Sequence, residues 1–282
     1  MTEANDAIPG WVSSYSDQPP RQGDGLVIAT GQALVRSGSG WLHDAMAPGV
    51  PLSETSKPVF LGELDGRRIF VARPQNQALP EEELLGLRGA MLGDDPVRAT
   101  LASTACQVLH WQQDHRFCGR CGSPTRDHAL ERAKWCENCK IPFYPRIAPC
   151  VIVQIMDGDT LFLARSSRHR MHYFSLIAGF IEPGETAEQA VARETLEETG
   201  LRLRNIRYQC SQHWPFPHQL MLGFLADYDG GDICLQEDEL AEAGGYRPAD
   251  MPPVPPDTTI AGRLIESACA IIEQSDRGDS GK

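Results

Sequence analysis

Nowhere does the chain carry an apolar run near the roughly 18 residues that cross a bilayer. Its opening residues, MTEANDAIPG, lack the basic-then-apolar order of a secretion signal. No membrane segment is expected, and the cytoplasm is the expected compartment. Positive charge is scarce as well, since 26 Lys and Arg face 38 Asp and Glu for a formal net charge of −12. That balance argues against a broad basic surface for nucleic acid, which depends on many Lys and Arg contacts to phosphates. A local site for a short RNA end stays open. There is no internal repeat, and nine cysteines, an odd number without an export signal, argue for thiols or metal ligands over a disulfide framework. At 282 residues and 41% hydrophobic, the chain has room for two domains, or for one with a small module inserted.

Four cysteines stand in pairs. Cys118-Gly-Arg-Cys121 and Cys136-Glu-Asn-Cys139 are 14 residues apart, the ligand spacing of a zinc ribbon with a tetrahedral Cys₄ site. With all four positions filled by protein, such a zinc is structural. Cys106, Cys150, Cys210, Cys234 and Cys269 are scattered and read as buried free thiols.

The densest signal is Gly179-Phe-Ile-Glu-Pro-Gly-Glu185, followed by Arg193-Glu194 and Glu197-Glu198-Thr-Gly200-Leu201. Thr186 with Gln189 forms a capping box and Gly200 a stop, so the spacing predicts a helix over 187–199. Glu194, Glu197 and Glu198 then share an arc of about 100° with Ala187, Ala190 and Val191, which places the carboxylates on the inward side. Three such charges repel, and burying them unpaired costs several kcal/mol or raises their pKa values. A hard cation resolves both: Mg²⁺ or Mn²⁺ takes oxygen ligands and bridges substrate phosphates. The segment therefore predicts a divalent-metal site for diphosphate chemistry. A solvated acidic helix face is the alternative, and the joint spacing argues against it.

That spacing resembles the Nudix box, G-x5-E-x7-R-E-U-x-E-E-x-G-U with U aliphatic, over 179–201. Thr195 departs from it; its hydroxyl is expected to bond back to the Val191 carbonyl, at slight cost to the helix and none to the chemistry. Downstream, Ser211-Gln-His-Trp-Pro-Phe-Pro-His-Gln219 resembles the SQPWPFPxS motif of the NADH pyrophosphatase branch, as do the ribbon and Tyr144-Pro-Arg-Ile-Ala-Pro-Cys150 joining it to the box. A Trp-Pro-Phe-Pro loop is stiff and aromatic, suited to one wall of a pocket for flat rings. It also suits a turn that packs on a core or a dimer partner. His213 and Gln219 replace a proline and a serine of the motif, so the loop is expected to lose one rigid φ angle.

The resemblance, strong over 115–275, implies a Nudix α/β/α sandwich with a mixed sheet after a zinc ribbon, and the strand and helix patterns before the ribbon add a small N-terminal α+β domain, for an α+β chain. The expected divisions are a mobile stretch 1–24, the N-terminal domain 25–113, the ribbon 114–145 and the catalytic domain 146–275. Pattern alone predicts strands at 26–29, 68–72, 150–156, 160–164, 203–210 and 220–228, helical segments over 81–113 and 258–273, and a helix near 238–242.

For activity, the resemblance implies a Mg²⁺- or Mn²⁺-dependent hydrolase with structural zinc that cuts NADH or NAD⁺ to nicotinamide mononucleotide and AMP, and acts as a homodimer whose loop helps complete the partner's site. Removal of an NAD cap from RNA 5′ ends keeps the same chemistry. Other nucleoside diphosphate derivatives, such as ADP-ribose and diadenosine polyphosphates, or a non-catalytic ribbon module, are the alternatives. Glu194 and Glu198 are the implied primary ligands, with Glu197, Glu239 and the Ala178 carbonyl as further ones. Glu197 or Glu239 is the base, and Arg193 holds Glu185 or a helix glutamate through a bidentate pair. Substrate contacts are implied for Arg88, Glu131, Tyr144, Phe180, Gln212, His213, Trp214, Pro215, Phe216, Pro217, His218, Gln219, Met221 and Ala261.

Overall fold

The computed structural model describes residues 8–38, 40–47, 57–75, 79–93, 95–167, 173–236 and 238–279. They form two units, Met1–Arg146 with Pro215–His218, and Ile147–Trp214 with Gln219–Lys282. The first unit holds strands β1 (Trp11–Ser13), β2 (Gly25–Ile28), β3 (Ala33–Val35), β4 (Leu42–Asp44), β5 (Val59–Leu64), β6 (Arg67–Ala72) and β7 (Leu84–Gly86), helices α1 (Leu87–Met91) and α2 (Pro96–Asp114), then β8 (Arg126–Asp127), β9 (Lys134–Cys136) and β10 (Ile141–Phe143). Its main sheet runs β1-β5-β6-β2-β4, and β10-β9-β8 form the ribbon sheet. Leu26, Ile28, Phe60 and Phe70, apolar and β-favouring, fill its core. Pro96 opens α2 behind Asp95, whose side chain accepts the N–H groups of Val97 and Arg98.

Two expectations for this unit are corrected. Residues 8–24 are not a loose tail: β1 pairs with β5, and the Tyr15 hydroxyl donates to the His128 carbonyl at 2.7 Å. Leu84 and Leu85, read as helical, lie in β7 opposite Val35 and Leu34, because a β pairing partner outweighs a local helical period.

The second unit contains β11 (Ala148–Asp157), β12 (Thr160–Ser166), β13 (Ile177–Phe180), α3 (Ala187–Thr199), β14 (Leu203–Trp214), β15 (Gln219–Tyr228), β16 (Leu240–Tyr246) and α4 (Ile260–Asp279). Its sheet runs β14-β15-β11-β12-β16, with β13 also on β11; β11 and β15 are parallel and the remaining pairs antiparallel. Strand β11 reads as a continuous apolar run because both its faces are covered. Val151, Val153 and Ile155 join Ala190 and Val191 of α3 in one core. Cys150, Ile152 and Met156 join Ile260, Leu264, Ile265 and Ala268 of α4 in the other. Each buried Leu or Ile contributes about 1.5–3 kcal/mol. This is the expected α/β/α sandwich with a mixed sheet. The helix expected near 238–242 is instead the start of β16, where Leu240 pairs with Ser166 and completes the sheet edge.

Helix α3 begins and ends where the sequence places it. Thr186 Oγ1 accepts the Gln189 N–H at 3.3 Å, Gln189 Oε1 accepts the Thr186 N–H at 2.9 Å, and Gly200 closes the helix at φ 75°. Thr195 departs from expectation. It is fully buried and its hydroxyl has no hydrogen-bond partner among the described residues; the back-bond in this helix is made by Thr199, to the Thr195 carbonyl at 2.5 Å. A buried hydroxyl without a partner costs about 1–3 kcal/mol. Thr195→Val, nearly isosteric, should therefore raise stability by about 1 kcal/mol in a denaturant titration while activity is kept. A loss of stability would show that the hydroxyl is satisfied in solution.

Candidate active site

Arg193 uses all five of its N–H donors. Nε and Nη2 form a bidentate pair with Glu185 Oε1 and Oε2 at 2.8 and 2.9 Å. Nη1 donates to Glu194 Oε1 at 2.8 Å and Glu197 Oε2 at 3.0 Å, and Nη2 also reaches the Phe180 carbonyl at 2.9 Å. The sequence allowed Glu185 or a helix glutamate as partner; Arg193 takes both. Its hydrogen bonds, followed by the Glu182 N–H, hold the Glu185 carboxyl down to about 2, and Glu185 and Glu194 in turn push the Arg193 guanidinium above its ordinary value. One cation against Glu185, Glu194 and Glu197 leaves a formal charge of −2, and Glu198 makes it −3.

Glu194 leans on β13. A Cβ at Gly179 would fall on the Glu194 carboxylate, so the glycine leaves the room that this side chain occupies. Glu197 corrects the inward-facing expectation: its side chain is 55% exposed, against 16% for Glu194. The Glu198 carbonyl accepts the Gln236 N–H at 3.0 Å, the Glu239 N–H bonds the Gln236 carbonyl at 2.9 Å, and the Glu239 carbonyl accepts the Ser167 N–H at 2.8 Å. The turn bearing Glu239 is thereby tied to the end of α3. Ala178, in β13 opposite Ile152, stands one residue from the Glu194 contact. Oxygen-only donors with surplus negative charge suit Mg²⁺ or Mn²⁺, which keep waters and share substrate oxygens.

Several implied substrate residues line up across the sheet. Gln212 pairs with Met221, Met221 with Cys150, and Cys150 with Phe180. Paired positions share a face, so this row crosses β14, β15, β11 and β13 on the side covered by α4. Met221 and Ala261 belong to one buried cluster with Trp214 packed against it, while Phe180 is half exposed. Gln212 does something its motif does not announce: Nε2 donates to the Thr258 carbonyl at 2.9 Å and Oε1 accepts the Ile260 N–H at 2.7 Å. It pins the start of α4, next to Ala261. His213 lies in β14 opposite Leu220, not in the turn, and burial and then the Arg263 charge lower its pKa. The departure from proline therefore changes a strand position and leaves the turn intact. Gln219 opens β15 opposite Trp214 and Ala148.

The first unit holds the rest. Among the described residues, Cys118, Cys121, Cys136 and Cys139 alone bring three or more metal-ligating side chains within 4.8 Å of one another. Sγ–Sγ separations of 4.0 Å (Cys118–Cys139) and 3.6 Å (Cys121–Cys136) bracket the edge of about 3.8 Å in a tetrahedron of 2.3 Å Zn–S bonds. The N–H groups of Arg120 and Cys139 donate to Cys118 and Cys136 sulfurs at 3.4 Å, as charged thiolates require. The residues fit zinc. Tyr144, exposed, donates to Glu131 Oε1 at 2.9 Å, which brings two implied contacts together. Pro215, Phe216, Pro217 and His218 also belong to this unit, and the Arg88 guanidinium stands 5.0 Å from the Phe216 ring centre. Burial and then Arg146 lower the His218 pKa.

Comparison with known proteins shows the family. A NUDIX domain model matches residues 145–267, and an NADH pyrophosphatase zinc ribbon model matches 113–144. A relative from Pseudomonas syringae pv. tomato named NAD-capped RNA hydrolase NudC is 42% identical over 248 residues, 85% of this chain and 89% of the relative. One of the same name from Citrobacter koseri is 47% identical over 215 residues, 76% of this chain and 82% of the relative. The chain belongs to the NudC branch of the Nudix hydrolases. A solved NUDIX hydrolase from Nitrosomonas europaea aligns with 58% of this chain and 93% of its own at 23% identity, TM-score 0.46.

The Nudix box thus names the acids that Arg193 gathers but misses Cys150, whose place in the row comes from strand register. Its thiol is pushed up to about 12 by burial and then by Glu194 and Glu198. For Glu185, folding lowers the pKa from its ordinary 4.5 to about 2, so its pair with Arg193 stabilises fully above pH 4.5 and is lost as pH falls toward 2. The stability gap between wild type and Glu185→Gln should shrink over that range in melts from pH 6 to pH 2.5; a constant gap would remove the pair as its source. In the ribbon, Cys136→Ser should lose zinc by elemental analysis together with thermal stability.

Proposed function

We propose that this Nudix hydrolase cleaves the diphosphate of NAD, as free NADH or NAD⁺ and as the cap on an RNA 5′ end, releasing nicotinamide mononucleotide and leaving a 5′-monophosphate on the adenosine side. The observation that carries the reading is the carboxylate cluster centred on Arg193, with Glu194 and Glu197 on α3 and Glu185 in the loop before it. Close likeness to relatives named NAD-capped RNA hydrolase supports the substrate.

Glu194 and Glu198, with the Ala178 carbonyl and Glu197 or Glu239, would hold Mg²⁺ or Mn²⁺. Bound there, such ions neutralise phosphate charge and lower the pKa of water. The protein's part is positional: Arg193 fixes Glu194 and Glu197 while Glu185 balances the guanidinium. In the reaction a water oxygen bonds to one phosphorus, the bridging P–O bond breaks, and the water proton passes to Glu197 or Glu239. In the second unit Phe180 and Trp214 supply flat surfaces for the rings, with Met221 and Ala261 completing contacts; in the first unit Tyr144, Glu131 and the residues Pro215–His218 are the proposed contacts. Gln212 serves by fixing the start of α4, and Arg88 by holding Phe216. The division at 114 and 146, a homodimer and a cytoplasmic location complete the proposal. No helix of the described residues is long and apolar enough to cross a membrane.

Mass spectrometry after incubation with Mn²⁺ should find nicotinamide mononucleotide from NADH, NAD⁺ and NAD-capped RNA. No turnover of these or of ADP-ribose and diadenosine polyphosphates would return the chain to a binding role. Glu198→Gln should keep the fold and lower kcat at least about 100-fold, ~2.7 kcal/mol; more than a tenth of wild-type activity would remove Glu198 as a principal ligand.

A further inference from the structure

The first unit contains a cavity of about 170 Å³ that the diphosphate reading does not use, lined among others by Arg36, Gly40, Trp41, Gly89, Asp95 and Arg98. Both arginines are anchored through Nε, Arg36 on the Leu84 carbonyl at 3.1 Å and Arg98 on Asp95 Oδ2 at 3.3 Å. Their terminal nitrogens have no partner among the described residues. Asp95 is already engaged, since its Oδ1 accepts the N–H groups of Val97 and Arg98 at 3.0 and 3.1 Å. Among the described residues of the lining, two guanidinium forks face one carboxylate, in a chain of formal net charge −12.

The glycines point the same way. Neither Gly40 nor Gly89 has a positive φ, and a Cβ would meet nothing closer than 3.9 Å at Gly40 and 3.8 Å at Gly89. Gly93, also on the lining, has nothing within 4 Å and no positive φ. Neither backbone conformation nor packing requires glycine at these three positions, and Gly89 lies inside α1, where it weakens the helix. What they share is open backbone along a cationic cavity, the arrangement that lets a chain approach a phosphate closely. Gly89 is also next in sequence to Arg88, whose guanidinium stands 5.0 Å from the ring centre of Phe216, a residue of the proposed substrate loop.

We propose that this cavity binds a phosphodiester group of the RNA chain that follows an NAD cap. The proposal rests on the function proposed above and deepens it. Free NADH ends at the adenosine ribose and has no phosphodiester to place there, so the cavity favours capped RNA over the free dinucleotide. Arg36 and Arg98 grip the phosphate oxygens through their terminal nitrogens, and the glycines leave room for the sugar-phosphate backbone.

The test uses the full-length protein with Mn²⁺ and compares NADH with an NAD-capped single-stranded RNA of about ten nucleotides. Arg98→Gln changes an exposed helix position, and Gly89→Ala fills the cavity while favouring the helix. Each should lower kcat/KM for capped RNA about tenfold and leave NADH within twofold, and Arg98→Gln should reduce the slope of log(kcat/KM) against log[salt] for RNA by about 0.7. Equal losses on both substrates, or no loss on RNA, would overturn the proposal. A direct arm measures binding of a 5′-monophosphorylated RNA of the same length by fluorescence anisotropy, with inorganic phosphate as competitor. Weaker RNA binding by Arg98→Gln supports the subsite even if wild type fails on NADH, a result that would sink the proposed function alone. Unchanged RNA binding sinks the subsite, as does millimolar phosphate competition equal in wild type and Arg98→Gln.

Discussion

The site depends on a single guanidinium with no donor to spare. Because every N–H of Arg193 is committed, the carboxylates of α3, the loop at Glu185 and the β13 backbone are held in one frame, and repulsion among the acids is offset before any cation arrives. Lysine at this position would supply charge without the planar fork. The same frame explains why acids of unlike exposure belong together: Glu185 and Glu194 are largely covered, while Glu197 reaches solvent.

Local chemistry was legible in the sequence wherever one residue's partner lies a few positions away. The capping box of Thr186 and Gln189, the stop at Gly200 and the cysteine pairs all carry their meaning in spacing, and the helix and ribbon formed accordingly. Legibility ended where the partner comes from strand pairing. Leu84 and Leu85 showed a helical period and became a strand because Leu34 and Val35 offered a ladder, and Leu240 did so beside Ser166. Cys150 looked like any buried thiol until register set it between Met221 and Phe180. Thr195 was legible as a departure but not as an unsatisfied hydroxyl, since the competing bond is made by Thr199.

Motif membership and direct contact also separate here. Gln212 belongs to the segment that distinguishes this branch, yet its amide is spent on the backbone at Thr258 and Ile260. Gly262, two residues on, has no room for a side chain against Pro255 and Pro256. The start of α4 is thus fixed from the strand by an amide and from its own approach by prolines. A recognition motif of this kind holds residues that meet a ligand beside residues that hold the wall in place.

Gly179 has an ordinary backbone conformation, so its requirement is one of space, set by the Glu194 side chain resting against it. Spatial requirements are reciprocal in a way that dihedral requirements are not. A larger residue at 179 meets only the carboxylate end of the Glu194 side chain and obliges it to turn aside, which moves the acid from its place against β13. The smallness of the residue at 179 is thus a condition on where the carboxylate at 194 rests, and it sets none on the backbone of 179.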